Sequence, residues 1–325
     1  MRAAVYYNNR DIRIKDFPLP KTGAGEILVK VAASGVCGTD VMEWYRIKKA
    51  PRILGHEIAG QIVESRSPKY KTGEKVFVSH HVPCNQCKYC LADNHTACDT
   101  LHNGNYDPGG YSEYVRVPEL NVKNGVYVLP DSVSYEAGTM IEPLACVVRG
   151  QRVTGVQKGH TVLVLGSGVS GLLNIQLAKL TGAQVIATDI DPYRLRKAKE
   201  AGADEVIPAG EKITVGADRV IICTGAFSAV EQAFNSIDKK GVILLFAIPR
   251  EDIKIPVVDF WRNEITLTSS YGAAPLDLAQ ALELIKDKKI PVEDLITHKL
   301  PFAKIQEAFK IVSEAKESLK VVVIP

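Results

Sequence analysis

The first part of the chain alternates short apolar runs with glycine, proline and asparagine, a pattern typical of short strands joined by turns. Before about residue 129, the runs that predict strands lie at 27–31, 58–63, 75–79 and 112–117. The pattern therefore predicts an irregular all-β body in this part of the chain.

From His160 onward the pattern changes to an apolar strand, a glycine turn and an amphipathic helix, repeated along the chain. The predicted strands are 161–165, 185–189, 219–223 and 241–247, and the predicted helices between them are 172–180, 194–201 and 226–237. Alternating strands and helices are typical of βα units, which predict a parallel sheet covered by helices.

The last fifty residues predict helices at 276–286 and 302–313 and a closing strand at 319–324. No repeat or low-complexity linker separates the all-β part from the βα part. The boundary is predicted within the helical stretch 135–156.

Length and composition agree with two globular domains. The chain has 325 residues, of which 46% are hydrophobic and 24% are charged, a composition typical of a folded globular protein. The net charge of +3 gives no support for nucleic-acid binding. No apolar run reaches the ~20 residues of a membrane helix, and the N-terminus has no signal-peptide core, so we expect a cytoplasmic protein that is not in a membrane.

A glycine-rich motif lies between the predicted strand 161–165 and the helix that follows it. The motif reads Gly166-Ser-Gly168-Val169-Ser-Gly171, and Asp189 ends the next predicted strand. A G-x-G-x-x-G turn in this context is typical of dinucleotide-binding domains, where glycines admit a pyrophosphate to the helix N-terminus.

The acid at the end of the second strand predicts which dinucleotide is bound. A carboxylate at Asp189 would bind the adenine-ribose hydroxyl groups and repel a 2′-phosphate, which favours NAD over NADP. Arg194 keeps NADP open as the alternative, because a basic residue just after the acid can accept the 2′-phosphate.

Four of the seven cysteines lie close together with the spacing C-x2-C-x2-C-x7-C. Four thiolates fill a tetrahedral zinc site and leave no open position for chemistry, so Cys84, Cys87, Cys90 and Cys98 predict a structural zinc site. An iron–sulfur cluster is disfavoured because Asp99, rather than proline, follows the last cysteine. A nucleic-acid-binding zinc ribbon is disfavoured because Lys88 is the only lysine or arginine between the first and last cysteines.

A second group of metal-binding residue types lies upstream of the four cysteines. Cys37 begins the motif Cys-Gly-Thr-Asp, and the motif Gly-His-Glu contains His56 and Glu57. One thiolate, one imidazole and one carboxylate are the kind of ligand set that leaves a zinc position open for catalysis. Each residue alone would be weak evidence, and their occurrence with the four cysteines and a dinucleotide motif strengthens the prediction.

Together with Glu142-Pro-Leu and Leu300-Pro-Phe, these motifs resemble the zinc-containing medium-chain alcohol dehydrogenases, in the branch of sorbitol (L-iditol) and threonine dehydrogenases. The resemblance covers nearly the whole chain. It implies a GroES-like β catalytic domain over 1–147 and a Rossmann domain, with a doubly wound parallel sheet, over 148–274. The segment 275–325 would return to the catalytic domain.

The resemblance also implies that Cys37 and His56 bind a catalytic zinc ion and that Glu57 is an exchangeable ligand. The remaining ligand stays open between Glu142, which matches the polyol branch, and Cys146, which matches simple alcohol dehydrogenases. Four residues apart on a predicted helix, the two side chains would share one face, so either could reach the ion. Glu142, directly or through water, is preferred.

In the resembled family, the residue at Thr39 takes the proton of the substrate. Asp40 is suited to accept a hydrogen bond from the other nitrogen of His56, although Thr39 and Asp40 are also residue types that cap helices. Many relatives have a histidine five residues after the cysteine ligand, where this chain has Met42. Because methionine cannot titrate, the last proton step would use water, Glu43, the cofactor ribose or bulk base.

Three further residues follow predicted or candidate strands and could line the nicotinamide end of a cofactor site: Thr224, Ile248 and Ser270. Ordinary turn chemistry would explain the same residue types.

The sequence thus predicts an oxidoreductase with two zinc ions per subunit that passes a hydride from a secondary alcohol to NAD. The motif at Glu142, with Trp44, Tyr45 and His81 as candidate pocket residues, favours a polyol or vicinal diol. L-Threonine and simple secondary alcohols are the alternatives, and an inactive NAD(P)-binding or sensing protein is the rival from another class. The resemblance also implies a homodimer or homotetramer, with a small-molecule substrate as the partner.

Overall fold

The computed structural model describes all residues from Met1 to Pro325. The chain forms two compact units, one built from Met1–Ala145 with Ala273–Pro325 and the other from Cys146–Gly272. The assignment of 1–147 to a catalytic domain, of 148–274 to a cofactor-binding domain and of 275–325 to a segment that returns to the catalytic domain stays a prediction.

The first unit contains a seven-stranded sheet and a three-stranded sheet. The strands are β1 (Arg2–Asn8), β2 (Asp11–Asp16), β3 (Ile27–Val36), β4 (Arg52–Ile53), β5 (Glu57–Ser65), β6 (Lys75–Ser79), β7 (Tyr114–Val117), β8 (Val126–Val128), β15 (Ile296–Pro301) and β16 (Lys320–Ile324). The larger sheet has the order β15-β16-β3-β5-β6-β8, with β7 paired to β3, and the smaller sheet has the order β2-β1-β4.

The C-terminal strand β16 pairs antiparallel with β3, whose other edge pairs with β5. The last residues of the chain therefore complete the sheet that the first residues begin. The core of this sheet is built from alternate apolar residues, and Ile27, Val29 and Val31 of β3 all face it. This packing places the start of β5 and the start of β16 on either side of the end of β3.

The second unit is one parallel sheet with helices. The strands are β9 (Thr161–Leu165), β10 (Gln184–Asp189), β11 (Glu205–Pro208), β12 (Ala217–Ile222), β13 (Ile237–Leu245) and β14 (Thr266–Ser269). Their order in the sheet is β11-β10-β9-β12-β13-β14, and every neighbouring pair is parallel. The order reverses between β9 and β12, which makes this a doubly wound sheet whose ligand site is expected at that reversal.

Both units contain α-helices, and the shortest ones, of four to six residues, all lie in the first unit. The α-helices are α1 (Glu43–Arg46), α2 (Lys88–Leu91), α3 (Asp99–Asn103), α4 (Glu119–Asn124), α5 (Tyr135–Gly138), α6 (Ile141–Thr154), α7 (Val169–Thr181), α8 (Pro192–Glu200), α9 (Phe227–Ser236), α10 (Val257–Asn263), α11 (Pro275–Lys286) and α12 (Ile305–Glu314). The 3-10 helices are Gly38–Val41, Ile47–Lys49, His95–Ala97, Val292–Leu295 and Phe302–Lys304. None of these helices is both long and apolar enough to cross a lipid bilayer.

The predicted fold class is confirmed, and the strands predicted at 75–79 and 161–165 have those bounds in the structure. The patterns did not reveal short strands such as β11 and β14, because four residues with exposed positions carry little apolar alternation. The helix predicted at 302–313 begins only at Ile305, after a 3-10 turn that follows Pro301.

Candidate metal centres and cofactor site

The four clustered cysteines bring their sulfur atoms within 4.8 Å of one another. The Sγ atoms of Cys87 and Cys90 are 3.6 Å apart, and those of Cys84 and Cys90 are 4.0 Å apart. Thiolates at roughly 2.3 Å from one tetrahedral zinc ion would be roughly 3.8 Å apart. The geometry therefore fits a four-sulfur zinc site.

Backbone N–H groups surround these sulfur atoms. The N–H groups of Gln86 and Cys87 donate to Cys84 Sγ at 3.4 and 3.3 Å, and that of Cys84 donates to Cys98 Sγ at 3.4 Å. Burial raises the pKa of the Cys98 thiol, but hydrogen bonds from Cys84 and Leu101 outweigh burial and bring the pKa to about 6. Donors that stabilise a thiolate also favour a bound cation.

The second cluster brings Cys37, His56 and Glu57 together, with their ligand atoms within 4.8 Å of one another. Cys37 follows β3, and His56 and Glu57 lie at the start of β5, which pairs with β3. Two adjacent strand ends thus bring together residues nearly twenty positions apart along the chain. A mixed sulfur, nitrogen and oxygen donor set fits a zinc ion with an open coordination position.

Asp40 connects this cluster to its surroundings. Its carboxylate lies 3.5 Å from His56 Nδ1 and accepts a hydrogen bond from Tyr111 Oη at 2.6 Å. Burial raises the pKa of Asp40, but His56, Arg46 and Tyr111 outweigh burial and lower the pKa to about 2. A carboxylate at Nδ1 leaves Nε2 of His56 for a metal ion, which is the usual arrangement of a zinc-binding histidine.

Of the two residues interpreted as helix caps, Asp40 takes part in the cap and Thr39 does not accept a capping hydrogen bond. Cys37 is the residue that precedes the 3-10 helix Gly38–Val41, and its Sγ accepts the backbone N–H of Thr39 at 3.5 Å. Asp40 closes the turn by accepting the N–H of Cys37 at 3.4 Å. The cap therefore holds the Cys37 sulfur and the Asp40 carboxylate in one turn.

The hydroxyl group of Thr39 lies beside Cys37 and Arg46. Thr39 Oγ1 donates to Cys37 Sγ at 3.3 Å and accepts from Arg46 Nη2 at 3.0 Å, while Arg46 Nε donates to the Thr39 carbonyl oxygen at 2.9 Å. Arg46 also pairs with Asp40 at 3.2 Å. One guanidinium group therefore fixes both the backbone and the hydroxyl group of Thr39.

A buried ion pair lies on the other side of the cluster. Lys320 Nζ contacts the Glu57 carboxylate, and the two side chains are 3% and 1% exposed. Burial lowers the pKa of Lys320, but the charges of Glu57 and Cys37 outweigh burial and raise the pKa. Gly35 of β3 leaves room for the pair, because a Cβ atom there would overlap the Glu57 carboxylate.

Two histidines follow β6 and stack beside the cluster. The ring centroids of His56 and His80 are 5.0 Å apart, and those of His80 and His81 are 3.8 Å apart. Burial lowers the pKa of His81 to about 4 and that of His80 well below its usual value, so both rings are neutral at neutral pH. Nδ1 of His80 is buried without a hydrogen-bond partner, which suits a polar ligand.

Glu142 and Cys146 both lie on α6, as the predicted helix required. Glu142 is buried, and its charge helps to raise the pKa values of Lys320 and Tyr106, so it lies in the same charged region. It is not among the three residues whose ligand atoms meet.

The glycine-rich turn of the second unit joins β9 to α7. A Cβ atom on Gly171 would overlap the carbonyl oxygen of Gly166, so this close turn requires glycine. A Cβ atom on Gly168, at the N-terminus of α7, would meet nothing within 4 Å. Open space at a helix N-terminus fits the pyrophosphate group of a dinucleotide.

Asp189 ends β10 and reaches back to this turn. Its carboxylate accepts the backbone N–H of Ser167 at 2.7 Å and that of Asp191 at 2.9 Å. Arg194 lies on α8, which Asp191 caps by accepting the N–H of Tyr193 at 2.8 Å. The Asp189 carboxylate therefore lies beside the open space at the N-terminus of α7.

Thr224, Ile248 and Ser270 follow β12, β13 and β14 at the carboxyl edge of the same parallel sheet. Thr224 Oγ1 accepts the N–H of Ala226 at 3.3 Å, which is ordinary turn chemistry. Ser270 Oγ is buried without a hydrogen-bond partner and suits a bound ligand.

Sequence reasoning missed Arg46, His80, Tyr111 and Lys320. Arg46 and Lys320 do not belong to any recognisable sequence motif. Only the pairing of β16 with β3 brings Lys320 close to Glu57. His80 could have been noticed as the neighbour of His81.

Comparisons with known proteins matched two family models and several relatives to this chain. The GroES-like domain of alcohol dehydrogenases matches residues 23–131, and the zinc-binding dehydrogenase family matches residues 170–287. Sorbitol dehydrogenase of Bacillus subtilis is 30% identical, with 100% of this chain and 97% of that protein covered.

Two further similarities concern the substrate and the cofactor of relatives. D-Arabitol-phosphate dehydrogenase of Enterococcus avium is 33% identical, with 93% of this chain and 91% of that protein covered. A structure from Sinorhizobium meliloti, described as a zinc-binding dehydrogenase bound to NADP, is 29% identical with a TM-score of 0.86. It covers 100% of this chain and 99% of that one.

Proposed function

Because this chain belongs to the zinc-containing medium-chain alcohol dehydrogenases, in the sorbitol dehydrogenase-like branch, we propose that it oxidises a secondary hydroxyl group of a polyol with NAD. Family membership makes the chain an oxidoreductase that uses zinc and a nicotinamide cofactor. The observation that carries the proposal is the meeting of Cys37, His56 and Glu57 beside the hydroxyl group of Thr39.

We assign the catalytic zinc ion to Cys37 and His56, with Glu57 as the exchangeable ligand. Zinc there supplies a Lewis acid that lowers the pKa of a hydroxyl group, and nicotinamide supplies the hydride acceptor. Glu142, directly or through water, is the proposed remaining ligand because its charge reaches Lys320 in the same region. Cys146 is the alternative ligand.

Thr39 is proposed to take the proton of the substrate hydroxyl group. Its oxygen donates to Cys37 Sγ and accepts from Arg46, which leaves one lone pair for the substrate. Arg46 has no acceptor atom and cannot carry the proton onward. With Met42 in place of the usual histidine, the proton leaves through water, Glu43, the cofactor ribose or bulk base.

NAD is the proposed cofactor because the Asp189 carboxylate, held by the N–H groups of Ser167 and Asp191, would repel a 2′-phosphate. The Sinorhizobium meliloti protein binds NADP, so Arg194 on α8 keeps NADP as the alternative. The glycine-rich turn would hold the pyrophosphate at the N-terminus of α7, and Thr224, Ile248 and Ser270 would line the nicotinamide end.

A polyol is the proposed substrate because relatives along nearly the whole chain are named for sorbitol and for arabitol phosphate. The neutral rings of His80 and His81 beside His56 could exchange hydrogen bonds with several hydroxyl groups. These relatives favour a polyol over L-threonine.

We also propose a homo-oligomer. Helix α10 exposes Val257, Val258 and Trp261, which are 70%, 64% and 77% exposed. Three large apolar side chains on one short helix are typical of a surface that another chain covers.

One panel of assays tests this function. Sorbitol, L-threonine and 2-propanol are assayed with NAD and with NADP, and zinc is measured on the same sample. We expect sorbitol or another polyol to be oxidised fastest, with NAD, by protein that holds two zinc ions per chain. Activity that survives in both Cys37→Ala and His56→Ala, or a preference for NADP, would contradict the corresponding assignment.

A further inference from the structure

The segment that follows the Cys-Gly-Thr-Asp motif is strongly basic. Residues 44–52 contain four basic residues and no acidic one: Arg46, Lys48, Lys49 and Arg52. They lie on α1, the 3-10 helix Ile47–Lys49 and β4. Of these four, the proposed reaction uses only Arg46, which donates to the hydroxyl group of Thr39.

Three of these basic residues line one small pocket. Its walls are Tyr45, Arg46, Lys49 and Arg52, and Lys48 is not among them. The Arg46 side chain is only 19% exposed and lies 5.1 Å from the centre of the Tyr45 ring. The ring face attracts the guanidinium group and helps to hold it in this position.

This pocket lies next to the proposed reaction site. Arg46, which forms one of its walls, also donates through Nη2 to Thr39 Oγ1 at 3.0 Å. One guanidinium group therefore separates the pocket from the hydroxyl group that would take the proton of the substrate.

Carboxylates neutralise only one of the three cations of the pocket. Asp40 pairs with Arg46 at 3.2 Å, and the nearby Glu43 accepts the backbone N–H of Asn9 at 3.3 Å. The positive charges of Lys49 and Arg52 have no such partner. A concave site lined by unpaired cations attracts an anion, and a guanidinium group binds phosphate or carboxylate oxygens with paired hydrogen bonds.

We propose that this pocket, defined by Tyr45, Arg46, Lys49 and Arg52, holds an anionic end group of the polyol substrate. The substrate is then a polyol phosphate or a sugar acid whose secondary hydroxyl group lies at Thr39. A phosphate ester, with more negative charge than a carboxylate, is bound more tightly by the same cations. This inference rests on the proposed dehydrogenase function and names the substrate class for that site.

The test compares three substrates with similar carbon chains, namely sorbitol, sorbitol 6-phosphate and gluconate, with NAD at constant ionic strength. We expect kcat/KM to be at least about tenfold higher for sorbitol 6-phosphate than for sorbitol, mainly through KM, since tenfold is a modest difference in binding. A preference for gluconate over both would support the pocket with a carboxylate as the anion. Equal kcat/KM for all three, or a preference for sorbitol, would overturn the inference while leaving the dehydrogenase function intact.

A matched pair of variants locates the effect. Lys49→Gln removes a charge from the pocket, and Lys48→Gln removes the same charge from the neighbouring exposed position outside it. We expect Lys49→Gln to lower the kcat/KM ratio of phosphorylated to neutral substrate by about tenfold and Lys48→Gln to leave that ratio within about twofold. Equal effects of the two variants would show a general surface field and overturn the pocket. If no polyol reduces NAD at all, the proposed function itself fails.

Discussion

The two candidate metal centres of this protein differ in how far apart along the chain their residues lie. Cys84, Cys87, Cys90 and Cys98 lie within one short loop region, and their sulfur atoms meet without help from distant strands. The other centre needs Cys37 after β3, His56 at β5 and Lys320 at β16. Local spacing therefore determines the first centre, whereas tertiary structure determines the second.

They also differ in what surrounds the ligands. In the four-cysteine lobe, the region of Cys84, Cys87, Cys90 and Cys98, backbone N–H groups donate to the sulfur atoms. The other centre has a buried charged network in which Asp40, Glu57 and Lys320 keep partners within the protein. We expect metal in the lobe to stabilise the fold and metal in the other centre to serve chemistry.

The largest expected effect comes from Cys37→Ser. A metal ion contributes several kcal/mol to transition-state stabilisation, so we expect kcat/KM to fall by roughly 10³- to 10⁴-fold, since each 1.36 kcal/mol is tenfold. The zinc content should fall by one ion per chain, measured by a colorimetric chelator, while the thermal midpoint changes little. Cys223→Ser is the matched control, because Cys223 lies in the other unit next to Asn174. Loss of both zinc ions in Cys37→Ser would contradict the prediction that the two centres bind metal independently.

This difference also explains how much the sequence could predict. The cysteine spacing and the glycine-rich turn describe short, local structures, so residue order alone points to them. Cys37, His56 and Glu57 became a candidate site only in the company of those motifs. Lys320 and Tyr111 could not be predicted, because their roles depend on strand pairing and on contacts 71 residues or more along the chain. Arg46 was missed since no spacing rule links it to Thr39.

The second largest effect is expected for Lys320→Met. The change leaves Glu57 as a buried carboxylate without its cation, and breaking a buried pair from one side costs about 3–5 kcal/mol. We expect this loss in the free energy of unfolding of the zinc-free protein, measured by urea denaturation. The double variant Lys320→Met with Glu57→Gln should recover part of it, since the uncompensated charge is gone. A single variant as stable as the wild type would mean that the charged network does not support this centre.

A smaller effect is expected for Cys98→Ser in the four-cysteine lobe. A metal that closes a loop of about fifteen residues acts like a cross-link, which is worth about 3 kcal/mol. We expect a lower thermal midpoint and the loss of one zinc ion, with kcat retained at temperatures where the protein stays folded. A kcat that falls as far as in Cys37→Ser, in folded protein, would show that the lobe serves the reaction directly.

The smallest effect is expected for Tyr111→Phe, which removes the 2.6 Å hydrogen bond from Tyr111 Oη to Asp40. A hydrogen bond to a charged group contributes about 1.5–3 kcal/mol, and loss of a group that orients a metal-binding histidine weakens metal affinity by about 10- to 100-fold. Competition with a zinc chelator should therefore release the catalytic ion first, before the ion of the lobe. Tyr106→Phe is the control, because Tyr106 is equally buried but donates only to the Gly55 carbonyl oxygen at 3.4 Å. Equal weakening of zinc binding by both variants would contradict this prediction. It would show that zinc affinity depends on a buried tyrosine hydroxyl group near the site and not on the hydrogen bond from Tyr111 to Asp40.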